Sequence, residues 1–247
     1  MLLAAVIIAV WFGVRFIPSP TCFDNVRNHG EVGVDCGGLC APCELKSPKA
    51  LAIFWARTTR AGENLFDATA LVENHNELLS SADMVYEVTL FDALGVVARK
   101  TGTAFIYPQE RLYIIEPALR TTRRPIRVDF RILGMTWRLG NESPPQIVVE
   151  KREYTSTGEG EKKQGIVEMG IFNATSFDFR AFDLNVLVFD AAGNLIGANK
   201  VTADTFTSGS HMNSKSIWPQ ALEGTIGKIE IYPRINLFDP DIIIKPQ

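Results

Sequence analysis

Two stretches of this chain repeat one another: MVYEVTLFDALGVV over residues 84–97 and FDLNVLVFDAAGNLI over residues 182–196. At an offset of 98, their apolar residues coincide at every second position. Because successive side chains of a strand point to opposite faces, this alternation predicts a strand with a buried face in each stretch. The Asp and Gly that follow predict a tight turn into a next strand. The predicted inward positions are Met84, Tyr86, Val88 and Leu90 in the first stretch and Phe182, Leu184, Val186 and Val188 in the second.

The repeat extends to both sides of these stretches. Upstream, residues 68–74 match residues 167–173 at an offset of 99. Downstream, the matched closing-strand positions at an offset of 101 are Ile126, Val128 and Phe130 with Gly227, Ile229 and Ile231. Short strands with turn signals every ~8–12 residues are typical of antiparallel sandwiches. The sequence therefore predicts an all-β fold with tandem β-sandwich domains at residues 49–139 and 140–247, divided at the Pro-rich segment GNESPP.

The repeated units also carry short motifs. These are Val72-x-Asn74, Leu90-Phe91-Asp92 and Ile106-x-Pro108 in the first unit, and the matching Asn and Phe-Asp in the second, which has Thr205-Phe206-Thr207 in place of the Pro motif. In these motifs the units resemble small immunoglobulin-like bacterial domains of the FxLYD and LEA-like kind. The resemblance implies two tandem immunoglobulin-like modules outside the cytoplasm, with mostly unknown partners.

Composition sets broad limits on function. The chain has 247 residues, 46% hydrophobic and 21% charged, which is ordinary for folded protein, and its formal net charge is -3. Nucleic-acid binders usually have a basic excess, so we expect no nucleic-acid partner. The sequence contains no G-x-S-x-G, P-loop or H-E-x-x-H motif, and His29, His75 and His211 each lie among turn-forming residues. These observations predict a protein that is not an enzyme.

The N-terminal stretch MLLAAVIIAVWFGVRFI, residues 1–17, contains Arg15 as its only ionisable side chain. Its length and apolarity predict a transmembrane anchor, with Trp11 and Arg15 near the interface. A cleaved signal peptide and a buried core helix are the alternatives. The position of Arg15 after the apolar run argues weakly for the opposite orientation under the positive-inside rule. The cysteines argue for an extracytoplasmic location.

Residues 18–48 form a Cys-rich spacer and linker. All four cysteines of the chain lie here, at Cys22, Cys36, Cys40 and Cys43. A four-thiolate zinc site usually needs two C-x2-C pairs, and only Cys40 and Cys43 form one. The pattern therefore favours two disulfides, which imply an oxidising compartment. Four cysteines allow three pairings, so the connectivity stays open.

The spacer also contains oxygen ligands at Asp24, Asn28, Glu31 and Asp35. Calcium prefers such ligands in turn-rich loops, although the spacing is not that of an EF-hand. The alternative is a polar loop stabilised by Asp and Asn turns. The run D-x-x-x-N-x-x-E-x-G-x-D-C-G-G-x-C-x-x-C, from Asp24 to Cys43, resembles a cysteine-rich motif of bacterial secreted and surface proteins. The resemblance implies an exported bacterial protein and no particular activity.

One basic cluster stands out near the end of the first unit. It consists of Arg120, Arg123, Arg124, Arg127 and Arg131. One interpretation is the solvated face of a closing strand, which discourages pairing with another chain. The other is a patch for anionic lipid, cell-wall polymer or an acidic protein.

The sequence thus predicts a single-pass protein of the cell membrane whose bulk lies outside the cytoplasm. We expect it to bind or scaffold an envelope protein or glycan without catalysis and without a cofactor, calcium apart. An accessory subunit of a secretion, pilus or transport complex is the alternative. A metal-assisted enzyme centred on the cysteines is a third class.

Overall fold

The structure is a computed structural model that describes residues 21–28, 30–160 and 163–244. The chain divides into two compact units, one up to Pro48 and one from Lys49 onward. The predicted membrane anchor at residues 1–17 lies outside the described residues, and no helix within those residues is long and apolar enough to cross a membrane. The first unit contains one helical turn, α1 (Cys43–Lys46).

The second unit is built from two successive sets of antiparallel strands. The first set is β1 (Ala52–Gly62), β2 (Leu65–Glu73), β3 (Leu79–Asp92), β4 (Gly95–Ile106), β5 (Arg111–Arg120), β6 (Arg127–Gly134) and β7 (Arg138–Leu139). The second set is β8 (Ile147–Thr157), β9 (Gln164–Asn173), β10 (Asp178–Phe179), β11 (Phe182–Asp190), β12 (Leu195–Ala203), β13 (His211–Trp218), β14 (Ile226–Arg234) and β15 (Ile243–Ile244). The prediction of an all-β, antiparallel fold is confirmed.

The two sets share one strand order. In the first, the sheets run β1-β2-β5 and β4-β3-β6, with β7 beside β3. In the second, they run β8-β9-β13 and β12-β11-β14, and β10 pairs with β15. Strands β1 to β6 thus correspond to β8, β9, β11, β12, β13 and β14. We call the two sets the first and second sandwich; between them, residues 140–146 contain no strand.

The predicted inward faces of β3 and β11 are confirmed. Every predicted inward residue of the two strands is at most 4% exposed. Val88 lies opposite Phe130 of β6, and Val186 lies opposite Ile231 of β14, as the predicted offsets require. Since burying one such apolar side chain contributes about 1.5–3 kcal/mol, the alternating positions provide much of the driving force for this register.

An asparagine closes the same corner in each sandwich. Asn74 Nδ2 donates hydrogen bonds to the carbonyl oxygens of Leu79 and Tyr107, at 2.7 and 2.8 Å. At the equivalent position, Asn173 Nδ2 donates to the Phe206 carbonyl at 3.2 Å. Both asparagines are fully buried, so these bonds satisfy a side-chain amide that is removed from water and fix the corner.

The two sandwiches also pack against each other. Ile115 of β5, Leu187 of β11 and Ala198 of β12 form a small buried cluster. Ala61, near the end of β1, belongs to the core of the second sandwich. Alternation alone would leave Leu187 outward, but this packing buries it completely. The second face of β11 is therefore also an interior surface.

Candidate functional site

Two disulfides, Cys22–Cys40 and Cys36–Cys43, close the Cys-rich spacer. The prediction of two disulfides is confirmed, and no cysteine is free among the described residues, which include all four. Zinc binding requires thiolates, and a sulfur in a disulfide is not one. In this oxidised form the spacer therefore offers no four-thiolate site.

The Gly-Gly pair inside the cysteine motif has a steric reason. Gly37 and Gly38 have φ angles of +76° and +63°, which side chains rarely adopt. A Cβ at Gly38 would lie 2.2 Å from the Gly30 carbonyl oxygen, and one at Gly37 would lie 2.6 Å from Val32 Cβ. The spacer can therefore close around its disulfides only with glycine at both positions.

The four predicted calcium ligands are Asp24, Asn28, Glu31 and Asp35. Asp24 Oδ1 accepts a hydrogen bond from the Val26 amide at 2.9 Å, and Asp24 Oδ2 accepts one from Asn28 Nδ2 at 2.9 Å. The bond from Asn28 is the main reason that the pKa of Asp24 is held below its ordinary value. These two side chains therefore act as turn caps within the spacer.

The other two carboxylates also bind backbone amides. Glu31 is 6% exposed and accepts a hydrogen bond from the Asp35 amide at 3.1 Å, while Asp35 Oδ1 accepts one from the Asn25 amide at 2.9 Å. Among the described residues, the carboxylates of the predicted set do not converge as one group. The cluster that does form joins Glu31 to Cys22 and Cys40, which are disulfide-bonded to each other. Calcium binding stays a prediction.

The predicted basic cluster consists of Arg120, Arg123, Arg124, Arg127 and Arg131, and three of these arginines contact separate local partners. Arg123 forms an ion pair with Asp92, and Arg131 Nε lies 2.8 Å from Asp129 Oδ2. The Arg127 guanidinium lies 3.9 Å from the centre of a phenylalanine ring. Contacts of this kind at exposed sites stabilise by only about 1 kcal/mol or less. The patch for an anionic partner stays a prediction.

The histidines have glutamate neighbours. His75 Nδ1 lies 3.6 Å from Glu73, and His211 Nδ1 lies 2.8 Å from Glu150. Both rings are about half exposed or more, with 48% and 65% of the side chain accessible. His29 lies outside the described residues. These positions fit the interpretation of solvated loop and edge histidines.

A cleft of about 330 Å³ lies between the two sandwiches. This volume is at the lower end of the range for ligand pockets, ~300–1,000 Å³. Strands β3, β4, β5, β11, β12 and β14 and the segment after β14 line it. The lining residues that matter most are Thr103, Tyr113, Asn185, Lys200, Arg234 and Asp239.

Asn185 is the polar group of the cleft wall that lacks a full set of partners. Its side-chain Nδ2 donates to the Tyr113 carbonyl at 2.7 Å, which ties β11 to β5. Its Oδ1 is buried and accepts no hydrogen bond within the described residues. A buried acceptor without a donor costs about 1–3 kcal/mol, so a ligand N–H or O–H at this point would be favoured.

The charged groups of the cleft are balanced. Lys200 Nζ lies 3.9 Å from Asp183 Oδ2 at the rim. Deeper, Arg234 forms an ion pair with Glu110 and donates to the Phe105 carbonyl at 2.8 Å. Burial raises the pKa of Glu110, and Arg234 opposes that shift. Both cations of the cleft therefore already have an acidic partner.

A scan against protein-family models found no family that matches this chain, and a search of curated proteins found no match either. What can be argued about function therefore rests on the residues and their geometry.

A second unusual polar group lies on β2 of the first sandwich, on the face turned away from its core and close to Trp218 of the second sandwich. Asp67 of β2 is 2% exposed, and its Oδ1 accepts a hydrogen bond from the Ala118 amide at 2.9 Å. Its Oδ2 has no partner of ordinary geometry, although the Thr59 hydroxyl and the Trp218 indole are close enough to favour the ionised form. Burial outweighs these contacts and raises the pKa of Asp67 to about 7.

Sequence reasoning missed both the cleft and Asp67. The cleft joins residues more than seventy positions apart, such as Tyr113 and Asn185, so no local motif marks it. Asp67 did leave a signal, because it is an acid inside the mostly apolar strand LFDATALVE, whose other acid, Glu73, is its last residue. Such an acid indicates a special backbone site, and here it stands where the pairing of β2 with β5 is irregular.

Proposed function

We propose that this chain is a membrane-anchored binding or scaffolding protein of the cell envelope, with its bulk outside the cytoplasm and no catalytic role. One observation carries the proposal: all four cysteines are joined in two interleaved disulfides within a short spacer. Disulfides form and persist in oxidising compartments, whereas cytosolic thiols are kept reduced. A spacer this short cannot bury a core of its own, so its order depends on these bonds.

Further features support the proposal. The apolar run at residues 1–17 has the composition of an anchor that directly precedes the spacer. The shared strand order and the equivalent corners at Asn74 and Asn173 support immunoglobulin-like modules in both sandwiches. Sandwich edges and loops can recognise an envelope protein or a glycan without any catalytic group.

The location can be tested with single cysteines at the matching hairpin tips. Leu94 is 81% exposed and Ala192 is also exposed, so Leu94→Cys and Ala192→Cys leave both cores intact. We expect a membrane-impermeant thiol reagent to label both variants on intact cells, and to leave the parent chain unlabelled because its cysteines are paired. Labelling that appears only after lysis would place the sandwiches in the cytoplasm and refute the proposal.

An accessory subunit of a secretion, pilus or transport complex is the second candidate. Ile53 and Phe54 of edge strand β1 are 43% and 52% exposed, and adjacent exposed apolar residues often mark protein contacts. If the candidate holds, a partner should co-purify after mild detergent extraction and be lost with Phe54→Ser. The matched control is Phe177→Ser, whose ring is equally exposed at 51%. Equal recovery with both variants would remove this candidate.

A further inference from the structure

We infer that the cleft between the two sandwiches binds an extended, uncharged polypeptide segment of a partner protein, which adds as a strand to the free edge of β4. This inference names the partner class for the binding role proposed above. It depends on the proposed role in one respect only, which is the side of the membrane on which the chain meets its partner.

The first argument is the edge of β4. In its sheet, β4 pairs with β3 on one side, and no described strand pairs with its other side. Residues Thr103, Ala104 and Phe105 of β4 line the cleft, and Thr103 is exposed. An unpaired strand edge offers backbone donors and acceptors that suit an added strand. The Phe105 carbonyl already accepts from Arg234, and because backbone groups of alternate residues point to opposite sides of a strand, Thr103 is the nearest residue whose backbone faces the available edge.

The second argument is a segment of the chain itself that is bound through its main chain beside the cleft. After β14, the Ile235 carbonyl accepts a hydrogen bond from the Tyr107 hydroxyl. The Leu237 amide donates to the same hydroxyl at 3.0 Å. Burial raises the pKa of Tyr107 to about 12, so this hydroxyl stays protonated. Tyr107 and Ile235 are almost fully buried, so beside the cleft the fold already holds polypeptide backbone through a group that ignores side-chain identity.

The third argument concerns charge and the unpartnered acceptor. Lys200 and Arg234 each have an acidic partner, so an anionic ligand would have to displace a carboxylate. Asn185 Oδ1 needs a donor, which a backbone N–H supplies. Alternating side chains of an added strand would face the mixed apolar and polar wall. An uncharged peptide fits these features better than a phosphate or an acidic polymer.

The test uses the full-length chain in detergent micelles. One arm selects binders from a phage-displayed library of ten-residue peptides, and the other probes an array of soluble cell-wall glycan fragments. We expect enrichment of uncharged peptides of high strand propensity, and no glycan binding that a selected peptide displaces. With a selected synthetic peptide bound, the backbone amide of Thr103 should gain protection from hydrogen exchange. Failure to enrich any peptide, or glycan binding at this cleft, would overturn the inference.

Variants assign the binding to the cleft. Asn185→Leu removes the acceptor and Thr103→Arg places a charge at the edge, and each should weaken the selected peptide at least tenfold. Asn213→Leu makes the same chemical change on an exposed position of β13 and should leave the affinity unchanged. Thermal unfolding checks that each variant is folded. If Asn185→Leu does not fold, Thr103→Arg still decides the test, because Thr103 is exposed. Unchanged affinity in Thr103→Arg would place the binding elsewhere and contradict the inference.

These results are independent of the location test. Peptide binding with cytoplasmic labelling would keep the inference and refute the proposed location. Extracytoplasmic labelling without peptide binding would keep the location and refute the inference.

Discussion

Strands β3 and β11 occupy the same place in their sandwiches, yet their outer faces differ. Glu87 of β3 is partly exposed and lies 3.6 Å from Arg99, whereas its equivalent, Asn185 of β11, is buried against β5. Their inward residues match position by position. The difference shows that the repeat preserves the cores, and that the cleft is built from outward positions where the two copies meet.

The largest effect on stability should come from replacing one inward residue by a charged one. Val88→Asp places an unpaired charge in the first core and should cost several kcal/mol, enough to unfold a marginal domain. Glu87→Lys, one residue away on the outer face, loses the exposed ion pair with Arg99 and should change the free energy of unfolding by about 1 kcal/mol or less. Urea denaturation measures both. A tolerated Val88→Asp would mean that the register of β3 is shifted by one residue.

The next largest effect should be a difference between the two sandwiches in how their stability depends on pH. Asp67 occupies the position that Ile166 holds in the second sandwich. Its pKa is about 7 in the folded protein and 3.8 as the ordinary value, so the folded state binds more protons between these limits. Its stabilising contribution is therefore complete below about pH 4 and is lost as the pH rises to about 7. The loss should be on the order of 4 kcal/mol.

Asp67→Asn tests this directly. The variant keeps the side-chain oxygen that accepts from the Ala118 amide but cannot ionise. We expect its free energy of unfolding to fall less than that of the parent chain between pH 4 and pH 7, measured by urea denaturation across the range. Parallel curves for the two proteins would show that Asp67 does not titrate in this window.

Reduction of the disulfides should leave the stability of both sandwiches unchanged, because neither contains a cysteine. In the chain-entropy model each bridge contributes about 3 kcal/mol to the order of the spacer. We therefore expect reductant to speed proteolysis within residues 22–43 and to leave the unfolding transition of the sandwiches in place. Intact mass under denaturing, non-reducing conditions should show no free thiol. Four free thiols with one bound zinc would contradict the pairing.

The smallest effect should come from Tyr107, whose equivalent in the second sandwich is Phe206. Tyr107→Phe removes the hydroxyl that bonds the Ile235 carbonyl and the Leu237 amide and keeps the ring. Loss of these bonds should cost about 1–2 kcal/mol. It should also increase hydrogen exchange at Leu237. No change in either measurement would mean that the segment after β14 is held by packing alone.

The sequence predicts the parts of the fold that local patterns encode. The alternation from Met84 to Leu90 decides which face is buried, and the Phe-Asp-Ala-x-Gly turn decides where β4 begins. In the spacer, clustered cysteines in the absence of a second C-x2-C pair predict disulfides. They do not predict the pairing, because the path of the chain from Cys36 to Cys40 depends on turns such as those at Gly37 and Gly38.

The rest depends on how the two sandwiches pack. Asn185 and Lys200 look like ordinary polar residues of a strand pair until β11 packs against β5. The basic cluster shows the opposite case, since residues close in sequence, such as Arg123 and Arg131, pair with different acids. Side-chain spacing along one strand therefore predicts burial better than it predicts a binding surface.

The interleaved disulfides also limit how far the spacer can be stretched. A pull on the chain would pass through the Cys22–Cys40 bridge, whose Cα atoms are 5.6 Å apart, and then along the few residues to Cys43. That path spans at most roughly 16 Å, whereas the same residues without cross-links could extend to roughly 70 Å at ~3.3–3.6 Å per residue. The spacer is thus short and inextensible under load, and thiol exchange alone would change the length to which it can be stretched.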